Sequence, residues 1–74
     1  MNPTTQAIID RLPKKPILVP AEIAAVYGLK SSNPVLADIK TGRLAANSIN
    51  GRFLVSYEAA VRYVEQNEYV PDEA

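Results

Sequence analysis

This sequence predicts a mostly α-helical domain with one small β-hairpin, and three observations carry that reading. Between Pro20 and Val64 the apolar residues fall into the order helix, tight turn, helix, hairpin, helix. Ile49-Asn50-Gly51-Arg52-Phe53 is a hairpin signal, because Asn-Gly tolerates positive φ and apolar residues flank it. Gly28 and Gly42 each follow a helical pattern at the point where a helix can end.

Taken in order, the chain opens with a short helix predicted from Gln6 to Leu12. Thr4 or Thr5 would cap it, Ile8, Ile9 and Leu12 form its apolar stripe, and Pro13 stops it. Lys14-Lys15-Pro16 reads as a linker, so residues 1–16 precede a main domain of residues 17–66. Ile17-Leu18-Val19 is extended, since Pro20 disfavours α geometry at Val19.

Pro20 suits the first position of the next helix, and Glu22 its first turn. Ile23, Ala24, Val26 and Tyr27 make this helix mostly buried, and Leu29 is expected to tuck into the core beyond Gly28. Ser31, Ser32 and Asn33 are all capping types and Pro34 is a first-turn residue. A helix is therefore predicted from Pro34 to Thr41, with one of the three polar residues as its side-chain cap. Val35, Leu36 and Ile39 are its apolar positions, and Leu44 anchors the entry to the hairpin.

Loop length decides which hairpin residues face inward. A two-residue Asn50-Gly51 loop pairs Ile49 with Arg52, whereas a three-residue loop through Arg52 pairs Ile49 with Phe53 and Asn47 with Val55. The second collects the larger apolar set on one face and is the expected register, with Leu54 left outward as a possible partner contact. Ser56 caps the last helix, whose Tyr57, Ala60, Val61 and Val64 recur at i, i+3, i+4, i+7. Residues 67–74 are acidic, contain Pro71 and are expected to form a flexible tail. The sum is a winged helix-turn-helix with an extra short N-terminal helix and an acidic C-terminal tail.

Composition narrows the function. Seventy-four residues make one small domain, which buries only about 60% of its unfolded surface. Hydrophobic content of 47%, with four Tyr and one Phe, suffices for one core but not for a core and a pocket. No stretch approaches the roughly 20 apolar residues of a membrane span, and no signal-peptide pattern opens the chain. Cysteine is absent, which excludes disulfides and thiolate metal sites and fits a cytoplasmic protein. Histidine is absent too, removing the usual general base and the commonest metal ligand. The expectation is a protein without catalytic activity, metal, cofactor or small-molecule substrate.

The zero net charge hides an asymmetry. Residues 1–27 carry +1; residues 28–56 carry Lys30, Lys40, Arg43 and Arg52 against Asp38 alone, giving +3; residues 57–74 carry −4. Positive charge thus collects on the helix-turn-helix and hairpin, which suits a polyanion better than the pI of 6.1 suggests.

The candidate contacts follow. Lys30, Ser31, Ser32 and Asn33, at the start of the second helix of the pair, can reach phosphates or base edges. Lys40 and Arg43 flank the Gly42 turn and can bind phosphates, or remain solvated. Ser48, Asn50, Gly51 and Arg52 form the hairpin tip, where the arginine fits a narrow minor groove. Asp38 reads as a helix-face carboxylate before a base reader, Lys14 and Lys15 as linker, and Glu58, Glu65 and Glu68 as a solvated helix face. Tyr27, Phe53, Tyr57 and Tyr63 read as core.

Ala24 and Gly28, Ser31-Ser32, Lys40-Thr41-Gly42, Leu44, Asn50-Gly51-Arg52-Phe53, Val55-Ser56, Glu58-Ala59 and Tyr63-Val64 occur in a distinctive order and spacing. In these residues the run from Leu18 to Val64 resembles the small excisionase and MerR-like winged-helix group. Two features depart from that pattern: the second helix holds Pro34, Ala37 and Asp38 where such readers are rich in Arg and Lys, and the turn before it is one residue longer. The resemblance implies a recombination directionality factor of a phage or integrated element. Such a protein binds repeated double-stranded DNA sites in cooperating copies and bends them so that an integrase excises, and it often doubles as a transcriptional regulator. The alternatives are a winged-helix protein-interaction module that does not read DNA, and a packaging domain like a phage terminase small subunit.

Overall fold

In the computed structural model, which describes residues 2–69, four helices accompany a small three-stranded antiparallel sheet. The elements are α1 (Pro3–Arg11), β1 (Ile17–Leu18), α2 (Pro20–Val26), α3 (Asn33–Lys40), β2 (Asn47–Ile49), β3 (Arg52–Ser56) and α4 (Tyr57–Gln66). About half the chain is helical. No helix of the described residues is long and apolar enough to cross a membrane.

The first helix starts earlier than its sequence suggests. Asn2, not Thr4 or Thr5, is the cap: its Oδ1 accepts the Thr5 N–H at 2.8 Å, and Pro3 takes the first helical position. Thr5 is instead buried. The helix also belongs to the body of the fold, because Leu12 at its end is wholly enclosed and the Asn2 N–H donates to the Glu68 carboxylate at 2.6 Å. Glu68 is therefore a tie between the two ends of the described chain rather than a bare helix-face charge. Asn67 closes α4 through backbone and side-chain bonds to the Tyr63 carbonyl. Of the expected tail, residues 70–74 lie outside the described residues.

The link after α1 is also occupied. The Lys15 ammonium pairs with Glu22 at 2.6 Å, and the Lys14 ammonium stands 5.7 Å above the Tyr57 ring centre. Glu22 also accepts the Val19 N–H at 3.0 Å at the start of α2. The Lys15 ammonium first, and that N–H second, hold the Glu22 carboxyl below its ordinary pKa.

Both α2 and α3 end in the same way. Gly28 N–H reaches back to Ala25 O and Leu29 N–H to Ala24 O; Gly42 N–H and Arg43 N–H repeat this with Ile39 O and Asp38 O. This paired pattern satisfies carbonyls that the helix itself leaves open. It corrects the expectation for Leu29: with its N–H drawn back to Ala24, its side chain is left 40% exposed outside the core.

The hairpin register differs from the expected one. Asn50 (φ 50°) and Gly51 (φ 75°) both lie in the left-handed region, which is the two-residue turn whose twist matches antiparallel strands. Ile49 pairs with Arg52, Ser48 with Phe53 and Asn47 with Leu54. Turn twist thus outweighs the larger apolar face of the three-residue alternative. Val55 is buried and Phe53 half-buried on one face of β3. On the other face Leu54 is half-buried and Ile49 lies 59% exposed. β1 adds a third strand, pairing Ile17 with Ser56 and Leu18 with Val55.

One core unites these elements. Leu12, Leu18, Ile23, Val35, Leu44, Val55 and Val64 are all enclosed, so each helix or the residue just after it, β1, β3 and the link between α3 and β2 each supply one anchor. Each such side chain contributes about 1.5–3 kcal/mol of burial. Ser56 caps α4 by accepting the Ala59 N–H. On α4, Ala60 and Val64 are buried and Tyr57 and Val61 half-buried, as the spacing predicts, and Tyr63 joins the buried set.

Candidate nucleic-acid interface

The turn from α2 into α3 places Lys30, Ser31 and Asn33 on the surface and leaves Ser32 half-buried. Ser32 is the N-cap residue, but its side chain makes no capping bond. Its ψ of 1° departs from the extended geometry that aims a capping oxygen at the first turn. The nearest substitute is Ser31, whose Oγ accepts the Asn33 N–H at a long 3.4 Å. The hydroxyl of Ser32 and the amide of Asn33 are thus free of the structural bond expected of one of them.

The hairpin tip comes to this same end of α3. Ser32 just before α3, Leu36 of α3, Pro20 of α2, and Gly51, Arg52 and Phe53 line one open groove of about 240 Å³. Asn50 and Ser48 are exposed on the hairpin beside it. Helix start and hairpin tip therefore form one continuous surface.

Arg43 lies elsewhere. It lines a second groove, of about 170 Å³, with Ala59, Arg62 and Gln66 of α4. Arg62 was not among the candidates: at i+4 from Glu58 on the polar side of α4 it reads as ordinary surface charge, and no local signal places it beside the Gly42 turn. Lys40 is exposed at the end of α3. Lys30, Lys40, Arg43, Arg52 and Arg62 form no ion pair among the described residues.

The single acid of this region is turned away from the surface. The Asp38 carboxylate accepts a hydrogen bond from the Tyr63 hydroxyl on α4. It is therefore neither a solvated helix-face charge nor placed as a base reader. Burial, followed by that bond to an anion, raises the pKa of Tyr63. Tyr27 packs edge-on against Tyr63 at 6.1 Å between ring centres. Its hydroxyl is buried beside the Asn67 side chain without reaching hydrogen-bond geometry, and burial raises its pKa as well.

Comparisons of the chain with protein-family models, with curated proteins and with solved structures returned no match.

Proposed function

We propose that this chain is a small DNA-binding protein with a winged helix-turn-helix arrangement. In this reading α3 enters the major groove and the Asn50-Gly51-Arg52 tip reaches the adjacent minor groove. The observation that carries it is the groove shared by Ser32, at the start of α3, and Gly51-Arg52 of the hairpin: helix start and tip line a single surface, and its arginine has no acidic partner among the described residues. The role we propose is that of an excisionase, a recombination directionality factor that bends attachment-site DNA for an integrase and also regulates transcription. Its activity is binding, without catalysis, in the cytoplasm.

Four cations in this region, Lys30, Lys40, Arg43 and Arg52, bound the strength of one copy. Releasing counterions at four phosphates gives a slope of log affinity on log salt of roughly −3 to −4. One copy then binds weakly, and neighbouring copies on repeated sites supply the rest.

The test is a titration against the DNA flanking the protein's own gene at 50 and 200 mM salt, with Arg52→Ala beside the parent. The expected fall in affinity between the two salts is about a hundredfold, and Arg52→Ala binds about tenfold more weakly. No salt-dependent binding at micromolar protein overturns the DNA reading. Equal binding by Arg52→Ala removes the wing contact alone.

A second reading, a winged-helix module for protein interaction, is favoured by the outer sheet face. There Ile17 and Ile49 are 49% and 59% exposed, on either side of Leu54. It is the reading that remains if the salt titration fails.

A further inference from the structure

The outward face of α3 has a composition that the linear sequence obscures. At 100° per residue, the exposed Asn33, Ala37 and Lys40 fall on one line along the helix, one turn apart. Pro34 and Thr41 border this line on one side. Leu36 borders it on the other, toward the groove that holds Arg52. Asp38 lies farther round, held against α4 by Tyr63. The helix that looked nearly neutral therefore presents an amide, a methyl and an ammonium, with no carboxylate among them.

Resting on the DNA reading proposed above, we infer that Ala37 is the specificity-determining residue of α3 and contacts the C5 methyl of a thymine. Three observations lead there. The face carries Lys40 and no carboxylate, which suits an anionic occupant: Asp38 is the only acid between residues 28 and 56, and its carboxylate is turned to α4. A small side chain at the middle of the line lets the helix backbone sit deep in a groove about 12 Å wide. Among base edges in that groove, the thymine methyl is the one apolar group, and alanine is one of the side chains that matches it. Asn33 and Lys40, one turn to either side, carry donors and an acceptor suited to an adenine and a guanine edge.

The experiment selects preferred duplexes from a random pool with the full chain, then replaces each thymine of the selected site by deoxyuridine. That change removes only the methyl group and leaves base pairing intact. One thymine is expected to respond, with a loss of roughly fourfold, the worth of one methyl group removed from water. Ala37→Gly is expected to bind the thymine and uracil sites equally, and Ala37→Ser, which keeps the helix intact, to narrow the difference. A pool that yields no preferred sequence, uracil tolerated at every position, or a thymine preference that persists in Ala37→Gly overturns the inference. If salt-dependent binding persists in those cases, the DNA reading stands and only the role of Ala37 falls. Loss of salt-dependent binding by the unaltered chain removes both. The deoxyuridine arm uses the unaltered protein, so its outcome is independent of whether a variant folds.

Discussion

The Tyr63 hydroxyl on α4 donates to the Asp38 carboxylate on α3, 25 residues earlier in the chain. Backbone bonds from Arg43 and Leu44 N–H groups converge on the carbonyl of the same aspartate. Asp38 is therefore tied at both its ends, to α4 and to the turn that leads into the hairpin. The rotation of α3 about its own axis is set there, and with it the residues that face outward.

Removing that tie has a defined cost. Tyr63→Phe keeps the ring packed against Tyr27 but leaves the Asp38 carboxylate without its donor. A hydrogen bond to a charged acceptor contributes about 1.5 kcal/mol or somewhat more. For a domain of this size the melting temperature should fall by roughly 6–12 °C. Thermal unfolding followed by circular dichroism measures it. Asp38→Asn added to Tyr63→Phe should cost little more than Tyr63→Phe alone, because both act on one contact.

High pH tests the same pair. Burial and the neighbouring anion raise the Tyr63 pKa above the ordinary value of 10.0, and burial raises that of Tyr27. Above that ordinary value the unfolded chain releases phenolic protons that the folded chain keeps. This stability is fully present below about pH 10 and is lost as pH rises beyond it. Urea unfolding at pH 8 and at pH 11 should show the decline, and Tyr63→Phe should show a shallower one.

At low pH the carboxylates act in the opposite sense. The Asn2 N–H, and after it the Thr5 hydroxyl, hold Glu68 below its ordinary value of 4.5, and Glu22 is depressed beside Lys15. Their contribution is present above that value and is lost as pH falls through the depressed pKa values. The stability gap between the parent and Glu68→Gln, read from melting curves, should be open at pH 7 and close as the pH is taken down toward 3.

The turn is tested by its own backbone. A Cβ at Gly51 would meet nothing within 4 Å, so any penalty for Gly51→Ala comes from its φ of 75° alone. That penalty is about 1 kcal/mol. Asn50→Gly should be close to neutral, whereas Asn50→Val, β-branched at positive φ, should cost at least as much as Gly51→Ala. Equal stability of the glycine and valine variants would mean that the hairpin closes through a different loop.

The local signals were legible and the distant ones were not. Pro20, Gly28, Gly42 and Ser56 act on their nearest neighbours, and the helix ends they mark lie within a residue or two of those predicted. The Asn50-Gly51 turn was visible as a turn. Its register differs from the one the apolar pattern favours because the twist that two left-handed residues impose outweighs the gain of a larger apolar face. β1 has only two residues and pairs across the whole domain, so no periodicity could announce its partner. In the candidate site, Arg52 and Ser32 were named from local pattern, but the groove that joins them needs the fold. The role of Asp38 depends on the fold in the same way: its partner Tyr63 lies 25 residues away in sequence, and nothing local distinguishes that tyrosine from any other aromatic on an apolar stripe.

The bond from Asn2 to Glu68 makes the described chain almost a closed loop, since residues 66 positions apart in sequence touch. A short peptide bridging these two residues should circularise the domain without moving a core side chain. New ends opened in the exposed turn at residues 30–31 would then give a permuted protein with the same seven elements. In that rearranged chain α3 would open the sequence and α2 would close it, with every contact described above still available.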